Sequence, residues 1–181
     1  EGEGNQSDGP RTDVIIATAN EPPTLAPYKH SAVASTYMNL LTHDNFFRTD
    51  IETLEPIPGI IKEYEILSDK QWKFTIRDDV KFHNGEMMTT ADMKASMEYA
   101  RENQSYTSNY SNFWESIEII DEYNFIVNTK EVYAKTLNDM ASHRVLPKSL
   151  IDAGNDFNTN CIGSGPYKFV KQTLGDSIDD E

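Results

Sequence analysis

The sequence is poor in cysteine and in basic residues, and it has no long apolar run. Cys161 is the single cysteine. One thiol cannot form an internal disulfide, and it excludes metal sites built from several cysteines. No apolar stretch approaches the roughly 20 residues that a membrane-spanning helix requires. The first residues also lack the basic-then-apolar pattern of a signal peptide, so we expect that any export signal has already been removed.

The shortage of basic residues gives the chain a strongly negative charge. Thirty acidic side chains face 16 basic ones, for a net charge of -14. Such a balance repels phosphate backbones and anionic lipid surfaces, so we expect no binding to nucleic acid. Solubility is the simplest explanation of the acidity, and capture of a cationic ligand is the alternative. A mean hydropathy of -0.61 is typical of a soluble chain.

Motifs of catalysis and metal binding are also missing. The four histidines show no HxH or HxxxH spacing, and we expect each to be a surface or hydrogen-bonded side chain: His30, His43, His83 and His143. There is no Gly-rich phosphate loop and no GxSxG elbow. Ser164 lies between two glycines, but Pro166 and a predicted strand follow where a nucleophile would need a helix. Cys161 is expected to be a packed side chain. We therefore expect no cofactor, no metal and no catalytic residue.

Apolar periodicity and turn residues predict alternating strands and helices. In order, the elements are a buried strand at 13–19, a helix from a cap at Ser31 to Leu41, paired strands at 64–67 and 72–77, a helix after Thr89, a hairpin at 116–120 and 125–129, a helix at 133–142, a short helix opened by Pro147, and a strand at 167–173. In the second of the paired strands, Trp72, Phe74 and Ile76 alternate with polar residues, as in a half-buried strand.

The helix after Thr89 has a defined start and one apolar face. Thr89 and Asp92 form a T-x-x-D version of the capping box. Met93, Met97 and Ala100 follow at i, i+4 and i+7, which places them on one side of the helix. This spacing predicts core methionines, and not a metal or cofactor site.

Four stretches form a pattern in this order: Asn20-Glu21-Pro22-Pro23 with the following Thr24 to Pro27, the run from Pro58 through WKFTIRDDVKFHNGE to Asp92, the hairpin at 116–129, and Ile162-Gly163-Ser164-Gly165-Pro166-Tyr167-Lys168-Phe169. Together they resemble family 5 of the extracellular solute-binding proteins, which includes oligopeptide-, dipeptide- and nickel-binding members. The resemblance extends over about residues 13–178. Members of this family are considerably longer, so it implies that the chain holds most of the first lobe of such a protein.

The resemblance implies a mixed α/β, periplasmic-binding-protein-like fold (type II, cluster C), with most of the first lobe present. Residues 1–12, which contain no apolar side chain, are expected to be a flexible tether. Residues 13–31 and 163–178 are expected in the hinge-side sheet of the lobe. Residues 32–162 are expected to form an inserted α+β subdomain.

The resemblance also implies a function and partners. We expect a peptide or small-molecule binding component of an ABC transporter that delivers its ligand to the permease outside the cytoplasmic membrane. Contact with the membrane is expected only through a lipid anchor. A nickel or metal-chelate binding protein of the same family is an alternative, as is the ligand-sensing domain of a regulator. An enzyme using Ser164 or Cys161 is a third hypothesis, which the missing context disfavours.

Two groups of residues are candidates for ligand contact. In peptide-binding relatives the segment after the first strand lines the cleft, which points to Asn20, Glu21 and Pro22 as ligand-binding residues. Tyr106 and Tyr110 are the second group, because tyrosine combines apolar area with a polar tip. They belong to a cluster with Phe113 and Trp114, and the alternative is that this cluster packs the subdomain.

Overall fold

The computed structural model describes residues 20–29, 32–103, 112–173 and 177–180. The elements within these ranges are α1 (Val33–Thr42), β1 (Phe47–Thr49), β2 (Pro56–Pro58), β3 (Ile61–Ser68), β4 (Gln71–Ile76), α2 (Thr90–Asn103), β5 (Trp114–Ile119), β6 (Asn124–Thr129), α3 (Thr136–Ala141), α4 (Lys148–Asp152), β7 (Phe169–Thr173) and β8 (Ser177–Asp180). The tether at 1–12 and the strand at 13–19 lie outside the described residues. Within these ranges, none of the helices combines the length and the hydropathy that a membrane span requires.

The helix α1 begins later than the sequence predicted. Ala32 occupies the N-cap position, and no side chain caps the first turn. The expected cap at Ser31, a residue outside the described ranges, was therefore wrong, because the residue before the first helical position is alanine, whose side chain cannot accept a hydrogen bond.

A four-stranded antiparallel sheet in the order β3-β4-β6-β5 forms the centre of the described fold. The paired strands and the later hairpin predicted from the sequence are confirmed. Phe74 and Ile76 are buried on the apolar face, and Trp72 is half-buried at its edge. The turn between β5 and β6 is fixed by Asp121, whose Oδ1 accepts the backbone N–H groups of Tyr123 and Asn124 at 2.8 Å each.

The helix α2 supplies its apolar stripe to the core beside the sheet. Met93, Met97 and Ala100 are each 0% exposed. The two methionines belong to the same cluster of buried side chains as Phe74 and Phe125, whose rings lie 5.4 Å apart. The prediction that these methionines are core residues is confirmed.

The predicted capping box at the start of α2 is present and does more than cap the helix. Asp92 Oδ2 accepts the backbone N–H of Thr89 at 2.8 Å and its hydroxyl at 3.0 Å. The other oxygen, Oδ1, accepts the backbone N–H of Lys148 at 2.8 Å. One nearly buried carboxylate thus joins the start of α2 to the start of α4.

Replacing Asp92 with alanine is expected to lower the free energy of unfolding by about 2–4 kcal/mol, because hydrogen bonds to a charged acceptor contribute about 1.5–3 kcal/mol and the cap about 1 kcal/mol. Urea denaturation followed by circular dichroism measures the change. Asp152→Ala is the matched control, since this exposed carboxylate only pairs with Lys148 on the surface of α4 and should change stability by less than about 0.5 kcal/mol. Equal effects of the two substitutions would contradict the assigned role of Asp92.

The Gly163–Tyr167 segment lies tightly against the end of α1. Gly165 N–H donates to Thr42 O at 3.0 Å, and Tyr167 N–H donates to Leu41 O at 3.1 Å. His83 holds the other side, because its backbone N–H donates to Gly163 O at 2.8 Å and its Nε2 lies 2.9 Å from Gly165 O. A Cβ atom on Gly163 would lie 2.1 Å from the carbonyl oxygen of Thr42. The close approach of the two backbones therefore requires glycine.

The strand predicted at 167–173 is present in a shorter form, as β7. It pairs with β8 in a two-stranded antiparallel sheet among the described residues. Tyr167 and Lys168 precede it because the N–H of Tyr167 is bonded to the end of α1 and is not available to a strand partner.

Candidate ligand-binding loop

The loop at residues 20–29 carries the first group of predicted ligand contacts. Asn20 and Glu21 are exposed, whereas Pro22 is buried. Asn20 and Glu21 are thus the members of this group that face solvent, and Pro22 does not. Gln172 Nε2 donates to Glu21 Oε1 at 3.3 Å, so this loop and β7 meet although 151 positions separate the two residues.

Hydrogen bonds attach the loop to two separate parts of the fold. The Thr24 hydroxyl and the backbone N–H of Leu25 both donate to Asn158 Oδ1 at 2.9 Å. The hydroxyl of Ser35, in the first turn of α1, donates to Thr24 O at 2.6 Å. Leu25 and Ala26 are buried below these contacts. The loop is therefore a fixed part of the fold, which is what a preorganised binding surface needs.

Tyr28 ends the loop in an uncommon backbone conformation. Its φ angle is +69°, in the left-handed region that residues other than glycine rarely adopt. The hydroxyl donates to Arg144 O at 2.6 Å and accepts the backbone N–H of Arg144 at 2.7 Å. Burial raises the pKa of Tyr28, which keeps the hydroxyl protonated and able to donate. Such conformations persist where the surroundings over-determine them, and they are frequent at binding sites.

A cluster of two buried histidines, His43 and His143, surrounds Arg144, and His143 and Arg144 contact Tyr28. The ring of His143 packs edge-on against Tyr28 and against Phe46, with centroids 6.0 and 5.5 Å away. Burial, followed by the positive charge of Arg144, lowers the pKa of His143 to about 3. Burial lowers the pKa of His43 to about 3 as well, with smaller contributions from Arg144 and His83. Both histidines are therefore neutral at physiological pH.

Arg144 carries the positive charge of this cluster. None of the ion pairs formed within the described part of the chain involves its guanidinium. Its Nε is buried without a hydrogen-bond partner among the same residues. Burial lowers the pKa of Arg144, and the neighbouring Tyr28 opposes that change. The result is a half-buried cation next to a strained loop in a protein of net charge -14.

The structure shows less of the second group of predicted contacts. Tyr106 and Tyr110 lie outside the described residues. Phe113 and Trp114 are buried in the core, where Phe113 stacks on Tyr133 at 5.4 Å. The guanidinium of Arg101 lies 3.1 Å from the centre of the Trp114 ring. These two aromatic residues pack the fold, as the alternative explanation of the cluster required.

Sequence reasoning missed Tyr28, His143 and Arg144. The expectation of a surface or hydrogen-bonded histidine was wrong for His143, because it is fully buried and neither ring nitrogen has a partner in the described part. No spacing rule marks such a residue, since its environment comes from Tyr28 and Phe46, which are distant in sequence. Among the described residues, no group of three or more His, Cys, Asp or Glu side chains is arranged to hold a metal ion.

Solved structures identify the class to which this fold belongs. The chain superposes on the oligopeptide-binding protein AppA of Bacillus subtilis with a TM-score of 0.80 and 22% identity, covering 91% of this chain and 35% of AppA. It superposes on NikZ of Campylobacter jejuni, solved with Ni(L-His), with a TM-score of 0.76 and 28% identity, covering 90% and 34% of the two chains. The mixed α/β fold is thus that of a periplasmic binding protein, present here as a partial lobe, which confirms the predicted fold class.

Comparison of the amino-acid sequence with known families identifies the family of this chain. Residues 55–179 match the family described as bacterial extracellular solute-binding proteins, family 5 Middle, and the chain belongs to this family. The glutathione-binding protein GsiB of Salmonella typhimurium is 24% identical over 164 residues, which cover 86% of this chain and 31% of GsiB. The chain thus spans about one third of the length of the relatives that it matches.

Proposed function

We propose that this chain is part of the solute-binding component of an ABC importer and works outside the cytoplasmic membrane. Family membership over residues 55–179 is the observation that carries the proposal. The names of its relatives support it, because they describe proteins that bind glutathione, a nonapeptide and Ni(L-His). These are binding proteins, and no enzymatic activity is proposed for this chain.

A peptide is the proposed ligand, and the permease of the importer is the proposed protein partner. Asn20 and Glu21 would face the ligand, with Pro22 supporting them from below. Glu21 would pair with a cationic group such as a peptide amino terminus, and backbone groups of the loop would bind an extended peptide as an added strand. Tyr106 and Tyr110 stay in the proposal as a second contact group. A lipid anchor preceding the tether at 1–12 would hold the protein at the membrane.

A metal chelate is the second candidate ligand. The 28% identity to NikZ, solved with Ni(L-His), favours it. Titration with Ni²⁺ and L-histidine together, compared with tripeptides, distinguishes the two ligand classes.

The proposed arrangement has two parts. Residues 13–31 and 163–178 would form the hinge-side sheet of the first lobe, and residues 32–162 the inserted subdomain. The Glu21–Gln172 hydrogen bond supports this division, because it joins the two proposed hinge-side segments directly.

The 181-residue chain alone is expected to bind peptides with a dissociation constant weaker than about 1 μM. In two-lobed binding proteins the ligand is enclosed from both sides, and each tenfold loss of affinity corresponds to about 1.4 kcal/mol of lost contact energy. Isothermal titration calorimetry with a set of tripeptides measures the affinity. Micromolar or tighter binding by this chain would overturn the expectation that a second wall is required.

Native mass spectrometry of the protein produced from its own gene tests the proposed function itself. We expect a mass well above the 20.6 kDa of this chain, with small peptides retained. In that protein Glu21→Gln should weaken peptide binding, whereas Glu55→Gln, at an exposed position before β2, should not. If the two variants bind peptide with equal affinity, Glu21 does not contact the ligand.

A further inference from the structure

Strand β3 forms an open edge of the central sheet. In the strand order β3-β4-β6-β5 it has a partner on one side only. It has eight residues, which makes it the longest strand of the described part, and every residue after Ile61 is exposed. Folds normally shorten, twist or cover such an edge, because its unpaired N–H and C=O groups attract other chains. The backbone of β3 is thus accessible to another polypeptide over an unusual length.

The outer side of β3 makes little contact with the rest of the main chain. Ile61 N–H donates to Phe46 O at 2.9 Å. Within the described ranges, no main-chain hydrogen bond other than those to β4 involves residues 62–68. At the opposite edge of the sheet, by contrast, Trp114 O in β5 accepts a hydrogen bond from Arg101 Nη2 at 2.6 Å. The outer side of β3 is therefore where a further strand can join the sheet.

One face of β3 carries apolar side chains at the border of the core. Tyr64 and Ile66 lie opposite Phe74 and Trp72 of β4, and they are 48% and 58% exposed. The ring of Tyr64 lies 6.0 Å from that of Trp72. The apolar side of the sheet thus continues to its border, where a strand added beside β3 would bury Tyr64 and Ile66.

The other face of β3 carries two carboxylates. Glu63 and Glu65 lie opposite Thr75 and Lys73 of β4, and both are exposed. None of the ion pairs formed within the described part includes either carboxylate. Their charge is therefore available to cations on a neighbouring strand, because opposite charges in directly facing positions stabilise a strand pair.

The pairing of β3 with β4 is regular only in its middle. The register shifts between Ile61 and Glu63 and again between Ile66 and Ser68. Such irregularities disrupt the ladder locally, so the part suited to a further strand is Glu63–Ile66, named here the β3 edge. Acidic and apolar residues alternate along it. A complementary strand would alternate basic and apolar residues with the same period of two.

A second copy of the chain does not fit the β3 edge. Antiparallel pairing of two β3 strands about Glu63 or Glu65 places identical carboxylates opposite each other, and pairing about Tyr64 places Glu63 opposite Glu65. Like charges in directly facing positions destabilise a strand pair. Two copies, each with a net charge of -14, also repel each other as whole molecules. The charge of the edge therefore favours a basic partner.

We propose that the β3 edge binds an extended segment of a partner protein, which joins the central sheet as a fifth strand and alternates Lys or Arg with apolar residues. Main-chain hydrogen bonds supply the affinity, and the alternate side chains supply the specificity. The basic residues lie opposite Glu63 and Glu65, and the apolar residues cover Tyr64 and Ile66. This surface goes beyond the proposed solute binding, because none of its residues belongs to the candidate ligand-binding loop.

Fluorescence anisotropy with a labelled peptide tests the proposal on the protein produced from its own gene. The probe is an eight-residue peptide of alternating Lys and Val with blocked ends. We expect it to bind at least tenfold more tightly than the same peptide with Glu in place of Lys, because the charges opposite Glu63 and Glu65 then become repulsive.

Two N-methylated forms of the probe test whether it is added as a strand. The N–H groups of successive residues in a strand point to opposite sides. Only the Val amides or only the Lys amides can therefore face β3. Methylation of one set should weaken binding at least tenfold, and methylation of the other set should leave it nearly unchanged.

Reversal of the charge at the β3 edge should exchange the peptide preference. With Glu63→Lys and Glu65→Lys combined, we expect the Lys peptide to bind at least tenfold more weakly and the Glu peptide to bind more tightly. Glu52→Lys combined with Glu55→Lys is the matched control, because it changes the net charge equally at two exposed positions outside the edge. The affinity for tripeptides should be equal in the two double variants, which separates this surface from the proposed solute site.

The other outcomes overturn the proposal. Absence of probe binding, or equal losses from the two N-methylated forms, would show that no strand is added, and these comparisons need no folded variant. Equal weakening by the two double variants would show that the net charge of -14 attracts any cationic peptide. Self-association of the protein that competes with the probe would identify a second copy as the occupant.

Discussion

Replacing Gly163 with alanine is expected to lower the free energy of unfolding by more than about 3 kcal/mol. The added methyl carbon would lie 2.1 Å from Thr42 O and 2.7 Å from His43 Cδ2. A backbone oxygen at the end of α1 cannot move aside as a flexible side chain can. The segment must therefore separate from the helix and lose its hydrogen bonds to Leu41 and Thr42. Urea denaturation followed by tryptophan fluorescence and circular dichroism measures the loss.

Gly154→Ala separates this steric effect from the general effect of removing a glycine. Gly154 has a φ of +70° but has open space around it. Alanine there should decrease stability by only about 1–2 kcal/mol, through backbone strain. If the two variants lose the same stability, the close contact between Gly163 and α1 is not what makes glycine necessary.

The free energy of unfolding is expected to fall by about 5 kcal/mol between pH 6.5 and pH 4.5, because of His43 and His143. Both have a folded-state pKa of about 3, below the unfolded value of about 6.5. The unfolded chain therefore binds protons first. The contribution of the neutral histidines to the free energy of unfolding is fully present above the unfolded pKa of about 6.5. It decreases by about 1.4 kcal/mol per pH unit for each histidine as the pH falls below that value. Asp44 opposes this change, because burial raises its pKa.

His143→Phe is expected to remove about half of this pH dependence and to leave stability at pH 7.5 nearly unchanged. The ring of His143 contacts Tyr28 and Phe46 edge-on, and neither nitrogen has a hydrogen-bond partner among the described residues. An apolar ring of similar shape therefore loses no hydrogen bond. Urea denaturation at half-unit steps of pH gives the slope. An unchanged slope would show that His143 is accessible to protons in the folded state.

The elements around the sheet could be predicted from the sequence because their signals are local. The alternation at Trp72, Phe74 and Ile76 and the spacing of Met93 and Met97 report which side of each element is buried. The Thr89–Asp92 capping box marks the start of a helix within four consecutive residues. Each of these features needs only neighbouring residues, and the structure confirms each of them.

The candidate site was less accessible to such reasoning because its geometry depends on distant residues. The positive φ of Tyr28 is held by hydrogen bonds to Arg144, which lies 116 positions further along the chain. The exposure of Val33, Tyr37 and Leu40 on α1 could not be inferred either, since periodicity shows that a helix is amphipathic but not which face is covered. The family resemblance supplied the fold class, and it singled out the motif at Asn20 to Pro27 without predicting how that segment is fixed.

The order of strands in the central sheet has a consequence for the rate at which the protein folds. Strands β3 and β4 form a local hairpin, as do β5 and β6, but the pairing of β4 with β6 joins Phe74 to Phe125 across the whole of α2. Closing a chain segment of about 50 residues opposes this step by on the order of 3 kcal/mol of entropy. The two hairpins can form early, and their docking through the Phe74–Phe125 contact is expected to be the slow event. Before they dock, each of the two hairpins would expose a strand edge without a partner. The nascent chain is therefore most prone to aggregation before docking.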